Sequence, residues 1–328
     1  MTDVDTAAPS SRVTGKTRTT VSRGTALIVL ASFCFGTSGP LAKPAMDAGL
    51  SPQQVASVRI GLAAVILLVV VSLWRPALLR VRRSDWRVLL AYGLIGVGAV
   101  QLLYFAAVSR IPIGIAMLLE FTSPILVALW VRFVRRTVLP ARMWAGTLLA
   151  LVGLAMVAQV WDGLRLDAIG LLAGVGAALC AAGYFLLGER AVTTIEPLGL
   201  VTWGMVIGAF ATFVIAPPWS LPGEILLRDT DFGSMVVPVW TLLVACAVIS
   251  TALAYLLSIS AMRFLPANVV SVLALVEPIV ATALAWLVLG QSLALVQVLG
   301  AVVLLGGATV VQLAARVPLP NEAIHPRG

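Results

Sequence analysis

Long apolar runs separated by short polar breaks recur ten times along this chain. The runs cover approximately residues 24–46, 51–74, 87–109, 112–131, 143–160, 168–188, 197–216, 236–260, 265–289 and 292–313. A helix rises about 1.5 Å per residue and the hydrocarbon core of a bilayer is about 30 Å thick, so about 20 apolar residues suffice to cross it. Each run is close to that length. The pattern predicts an all-α membrane protein with ten transmembrane helices. Residues 1–22, rich in Thr, Ser and Arg, are expected to form a disordered tail. They lack the short apolar run and cleavage site of a secretory signal. Residues 314–328, with three prolines, read as a second polar tail.

The runs fall into two sets of five. Pro112 and Pro266, Pro124 and Pro278, Gly146 and Gly300, and Gly153 and Gly307 all stand 154 residues apart. Ser51-Pro52 and Glu196-Pro197 open comparable runs earlier in each set. Five is an odd number of crossings, so the second set must enter the membrane upside down. The chain therefore divides into repeats at 24–160 and 168–313, related by inversion. Many secondary transporters are built this way, with their site near the midplane on interrupted helices.

Composition strengthens this reading. The 328 residues are 60% hydrophobic and only 11% charged, with a mean hydropathy of +1.05, against roughly 25% charged for a soluble domain. The net charge of +8 does not indicate nucleic acid, because the cations sit in loops between apolar runs. Of the 22 Lys and Arg residues, seventeen collect on one side of a ten-span topology, four on the other, and Arg59 lies within a run. The side with the excess is assigned to the cytoplasm, which makes both termini cytoplasmic. Cys34, Cys180 and Cys246 lie in separate runs without a CxxC pair, so no disulfide frame or metal site is expected.

The candidate chemistry lies where polar residues interrupt the runs. Pro112 to Trp130 reads PIGIAMLLEFTSPILVALW. Glu120 places a carboxylate inside a span, and intramembrane carboxylates are functional candidates by default. Pro124 cannot donate a backbone hydrogen bond, so it frees the carbonyl four residues back, which is that of Glu120. Glu277 and Pro278 recur in the matching run, SVLALVEPIVATALAW. Lys43, near the outer end of span one, and Arg59 are the other ionisable groups within the runs, and Glu189 lies near a span end. Gln101, Tyr104, Tyr184, Trp203, Ser250, Thr251 and Tyr255 are candidate polar or aromatic partners. Gly36, Gly39 and Pro40 interrupt span one just before Lys43.

This set suits a zwitterion. Lys43 would take a carboxylate, Glu120 an ammonium, and Gln101, Tyr104, Tyr184 and Tyr255 the rest of a small molecule. Lys43 also lies where a side chain snorkels to the interface. Arg59 reads as a fixed partner of Glu277 or of a helix terminus, because a permanent guanidinium cannot cycle a proton. Glu120, with no cation nearby in its own span, is expected to exchange protons. Spans five and ten, rich in Gly and Leu, are expected to be peripheral or to form a homodimer. No enzyme signature is present: the sole histidine, His325, is in the tail, and HExxH, GxSxG and a P-loop are missing. No cofactor is expected. The expected partners are a small-molecule substrate, protons and the lipid bilayer.

Two inverted five-span halves, with Ser-Pro in span four and Glu-Pro in span nine, resemble the EamA-type transporters of the drug/metabolite transporter superfamily. Within it, GPLAK at 39–43, IPIGIAMLLEFTSP at 111–124, STALAY at 250–255 and VEP at 276–278 resemble the bacterial threonine/homoserine exporter branch. The family often carries Gly-Glu after span nine, where this chain has Gly290-Gln291; its first half has Arg135-Arg136 there. The resemblance implies an inner-membrane exporter of small amino acids or related metabolites, driven by the proton gradient. A multidrug exporter of lipophilic cations also suits Glu120 and the aromatics through charge and cation–π contacts. A third reading is a non-transporting membrane scaffold or enzyme subunit, in which Glu120 is paired and dry.

Overall fold

The computed structural model describes residues 11–161, 167–233, 235–290 and 294–315. Eight of its helical segments are long and apolar enough to cross a membrane: Thr20–Asp47, Pro52–Trp74, Trp86–Val108, Ile113–Phe133, Ala168–Ala191, Val239–Ala261, Ala267–Val288 and Leu295–Ala314. Two shorter apolar helices, Ala141–Val157 and Pro197–Phe213, supply spans five and seven. All ten fall within a few residues of the expected runs.

Local chemistry sets several boundaries. Ser51 forms a capping box with Gln54, and Pro52 occupies the first turn of span two, where a missing N–H costs nothing. Asp167 accepts the N–H of Gly170 at 2.8 Å to start span six. Gly290 closes span nine in the left-handed region (φ 65°), which favours a residue without Cβ.

One expectation about the ends is corrected. The stretch 11–22 is helical rather than disordered, because the first helix starts at Ser11. No proline lies between Pro9 and Pro40, so a helix nucleated by the first span propagates outward without a stop. Residues 1–10 and 316–328, as well as Arg165 and Gln291, lie outside the described residues. Between spans seven and eight a small hairpin departs from the all-α pattern. Strand β1 (Asp229–Phe232) pairs antiparallel with β2 (Met235–Pro238), and Gly233 at φ 63° makes the turn. Val236 and Val237 supply the β-branched character.

The outer surface carries the expected lipid-facing residues. Leu73, Phe210, Val214 and Leu172 are among many large apolar side chains left exposed. In water such a surface would drive aggregation, so its natural solvent is lipid. Spans five and ten pack against each other along their length. A Cβ on Gly146 would stand 2.9 Å from the Gly307 carbonyl oxygen, and one on Gly153 would stand 2.7 Å from that of Gly300. Only glycine permits this approach, so the glycine faces of both helices serve the contact between the two halves.

Spans three and eight each contain a wide, π-type segment, Tyr92–Ala99 and Cys246–Leu253. They are 154 residues apart, the interval of the repeat. In span eight the hydroxyls of Ser250 and Thr251 both bond the Cys246 carbonyl, at 2.9 and 3.0 Å, inside the widened turn. These two residues therefore serve the backbone rather than a ligand. Such segments mark functional regions of helices more often than chance.

Candidate functional site

Spans four and nine are both broken in mid-membrane. Span four runs Ile113–Glu120, turns at Phe121 and Thr122, and resumes at Ser123–Phe133. The break is bridged by Phe121 N–H to Met117, Thr122 N–H to Leu119 and Ile125 N–H to Thr122. None of these bonds is accepted by the carbonyl of Glu120. The missing N–H of Pro124 thus leaves a carbonyl and a carboxylate on one residue, as the sequence implies. Span nine breaks in the matching place, after Ala267–Leu273 and before Val276–Leu289, which places Glu277 in the first turn of the second piece. Broken helices at membrane depth are tolerated where they line a cavity or are buried in protein.

Arg59 lies about two turns inside span two. Its Nη1 donates to Ser38 Oγ of span one at 2.8 Å, and its Nη2 donates to Gln101 Oε1 of span three at 2.6 Å. Glu120 and Glu277 both lie within electrostatic range of this guanidinium, and of each other. Tyr104 and Tyr255 stand in the same field. The expected direct ion pair between Arg59 and Glu277 is not formed. Among the described residues, neither carboxylate makes a hydrogen bond or an ion pair with the protein. The physical reason is that Ser38 and Gln101 hold the guanidinium fork from two other helices. The described polar atoms that are sealed away without a hydrogen bond are the Tyr92 hydroxyl, Trp203 Nε1 and Glu189 Oε2, the last of which has an ion pair with Arg135 instead. The oxygens of Glu120 and Glu277 are not among them.

Lys43 lies at the end of span one, the position of the snorkelling alternative. Its Nζ bonds both oxygens of Asp47, at 2.8 and 2.9 Å, one turn along the same helix. The two side chains are 46% and 61% exposed, so this is a surface pair at the span end. Its charge is already matched there, and Arg59 is the cation that stands among the carboxylates.

Four aromatic rings form a wall beside these charges. Phe35 meets Tyr255 edge-on at 5.1 Å, Tyr255 meets Tyr184 at 5.5 Å, and Tyr184 meets Tyr92 at 5.7 Å. The Tyr184 hydroxyl donates to Ser258 at 2.9 Å. Gln101 and Tyr255, 154 residues apart, approach each other where the two repeats meet. Tyr104 and Ser258 are related by the same interval. Of the residues singled out in the sequence, the fold brings Gln101, Tyr104, Glu120, Tyr184, Tyr255, Glu277 and Arg59 to one region. The sequence reading missed Ser38, Phe35, Tyr92 and Ser258. Tyr92 carried a usable signal: the chain has only four tyrosines, and all four lie in spans three, six and eight. Trp203 packs on Trp86 at 5.3 Å near the arginine-rich end, away from the site.

The arginine-rich end is closed. Ala267–Leu273 of span nine is buried along its whole length. Glu189 of span six accepts the N–H of Ala267 at 3.0 Å and pairs with Arg135, after span four, at 2.5 Å. Toward the opposite end, Gln101 to Ala106 and Met117 to Thr122 all keep part of their surface open.

Inverted halves, paired broken helices and an unpaired set of charges in mid-membrane define a membrane carrier. The chain belongs to the EamA-like transporter family, whose description matches residues 22–159 and 168–313. It is 31% identical over 275 residues to the threonine/homoserine exporter RhtA of Escherichia coli K12, covering 83% of this chain and 85% of that one. Its identity to the RhtA protein of Salmonella typhimurium LT2 is 30% over 246 residues, 75% of this chain and 76% of that one. The uncharacterized inner membrane transporter YicL of the same Salmonella strain is 24% identical, covering 90% and 96%. A crystal structure superposes with a TM-score of 0.73 at 18% identity, covering 90% of this chain and 98% of that one, which supports the fold. The protein is a multi-pass transporter of the bacterial inner membrane and not an enzyme. Family membership sets aside the reading as a non-transporting scaffold or enzyme subunit.

Proposed function

We propose that this protein exports small amino acids or related metabolites by alternating access, coupled to the proton gradient. The observation that carries the reading is the pair of carboxylates, Glu120 and Glu277, left without a partner in the protein around the single guanidinium of Arg59. Unmatched charge at membrane depth is costly, so it is retained where a mobile charged species completes it. A zwitterion supplies both signs at once. The RhtA relatives, named as threonine/homoserine exporters, make threonine and homoserine the first molecules to try. A lipophilic cation would answer the carboxylates but leave the Arg59 guanidinium without an anion, so the multidrug reading matches the site less fully.

Glu120 is the residue assigned to the proton. A carboxylate that binds an ammonium in one state and a proton in the other makes antiport natural, since one species leaves as the other arrives. The arginine-rich end is taken as cytoplasmic by the positive-inside rule. The latch of Arg135, Glu189 and Ala267 then closes the cytoplasmic end, and the halves rock about the central site to open it. A homodimer through spans five and ten would have to use faces other than their glycines, which already serve the contact inside one chain.

The test is flux of labelled threonine and homoserine from proteoliposomes, with and without an imposed pH gradient. Export that rises with the gradient supports the reading. Flux that ignores the gradient would make the protein a uniporter or couple it to another ion, and no flux of any amino acid would overturn the assignment.

A further inference from the structure

We propose that Arg59 is the group that receives the carboxylate of the transported amino acid. This rests on the amino-acid export reading above and assigns the anionic end of the cargo to one side chain. A guanidinium carries five N–H donors in a planar fork that matches a carboxylate. In Arg59 two are committed, to Ser38 Oγ at 2.8 Å and to Gln101 Oε1 at 2.6 Å. Among the described residues no other acceptor meets it, and the side chain is only partly buried. The remaining donors are therefore available to a bound anion.

The two committed bonds also fix the fork. Ser38 belongs to span one, just past the interruption at Thr37, and Gln101 to span three, just past the wide segment Tyr92–Ala99. Both acceptors are neutral, so they orient the guanidinium without cancelling its charge. A carboxylate partner would have done both. Lys43, the other cation considered for this role, is already matched by Asp47.

The arrangement selects a class of molecule. With its carboxylate on Arg59 and its ammonium toward Glu120 and Glu277, an amino acid makes the charges alternate across the site. An amine or an amino alcohol would leave the guanidinium unanswered in a poorly hydrated place, which is costly. The rings of Phe35, Tyr255 and Tyr184 wall the site on one side and favour a small side chain. The cargo class is therefore small α-amino acids with a free carboxylate.

Exchange in proteoliposomes tests this. Vesicles loaded with unlabelled threonine take up labelled threonine, and three unlabelled competitors are added outside: threonine, threoninamide and 1-aminopropan-2-ol. The last two keep the ammonium and hydroxyl but lack the carboxylate. In the wild type they should compete on the order of tenfold more weakly or worse, the loss expected for a charge-assisted pair. Arg59→Gln should abolish that preference, and Arg59→Lys should keep part of it. If wild-type protein is inhibited equally by all three, Arg59 does not read the carboxylate. That outcome needs no variant to fold, and exchange itself would still uphold amino-acid transport. If the wild type exchanges no amino acid, the export reading and this one fall together.

Discussion

Glu189 of span six ties the bend after span four to the start of span nine with one carboxylate: Oε2 lies 2.5 Å from Nη1 of Arg135, and Oε1 accepts the backbone N–H of Ala267 at 3.0 Å. The side chains are 18% and 37% exposed, so the ion pair is worth about 1 kcal/mol or less. That is small against the stability of the fold and large against the balance between two conformations. Glu189→Gln keeps an acceptor for Ala267 and loses the ion pair, while Glu189→Ala loses both. Accessibility from the arginine-rich side should rise from wild type to Gln to Ala. A cysteine at Ser271, placed in a background without Cys34, Cys180 and Cys246, should be labelled from the arginine-rich side several-fold faster in Glu189→Ala. Equal labelling in all three would show that the contact holds nothing shut.

Glu120→Gln should leave the protein inserted and folded, because Glu120 has no partner in the protein to lose. Export driven by a pH gradient should fall by tenfold or more. Exchange, which needs no net proton movement, should be retained in larger part. Normal gradient-driven export in this variant would make Glu120 a structural residue.

For Glu277 the structure changes what the sequence implies. An ion pair with Arg59 would make Glu277→Gln damage folding first. With Arg59 held by Ser38 and Gln101, the substitution removes a charge near the guanidinium rather than a contact. Thermal stability in detergent should stay within a few degrees of wild type, while the apparent affinity for a zwitterion drops several-fold. Scanning fluorimetry beside exchange kinetics separates the two effects, and a large loss of stability would restore the structural role.

Gly307→Val should be among the most damaging changes outside the site. A Cβ there would stand 2.6 Å from the Gly146 carbonyl oxygen and 2.4 Å from the Ala150 nitrogen. Neither atom can move without shifting span five. Overpacking of this kind costs about 1–3 kcal/mol. Purified variant should unfold at a clearly lower temperature, and Gly306→Val, which meets nothing within 4 Å, is the control that should not.

The path of the chain through the membrane was legible because length and apolarity alone set the number of crossings, and each proline or glycine that punctuates them acts locally. Glu120, Glu277 and their prolines stood out for the same reason: a polar residue in an apolar run is an exception that has to be explained. Lys43 and Arg59 were harder, since both are cations inside a run. The Lys43–Asp47 spacing of four is a helical pair that sequence can display. The partners of Arg59 come from spans one and three, and only the packing of helices brings Ser38 and Gln101 to it. Tyr92 and Ser258 were overlooked because each is unremarkable beside its own neighbours. The helical start at Ser11 was hidden by a polar composition that resembles a disordered tail.

The repeat of 154 residues duplicates the wide segments, the breaks and the glycine contacts, and it leaves the charges single. Glu120 corresponds to Ala274, and Glu277 to Ser123. Counted from the prolines that open spans two and seven, Arg59 corresponds to Gly204. The frame is a pair of like hinges, whereas the berth between them is unique. Under the export reading one molecule is therefore carried per swing, not two. Under the same reading the direction of net flow is left to whichever gradient is steeper, and the same machine runs as an importer once the gradients are reversed.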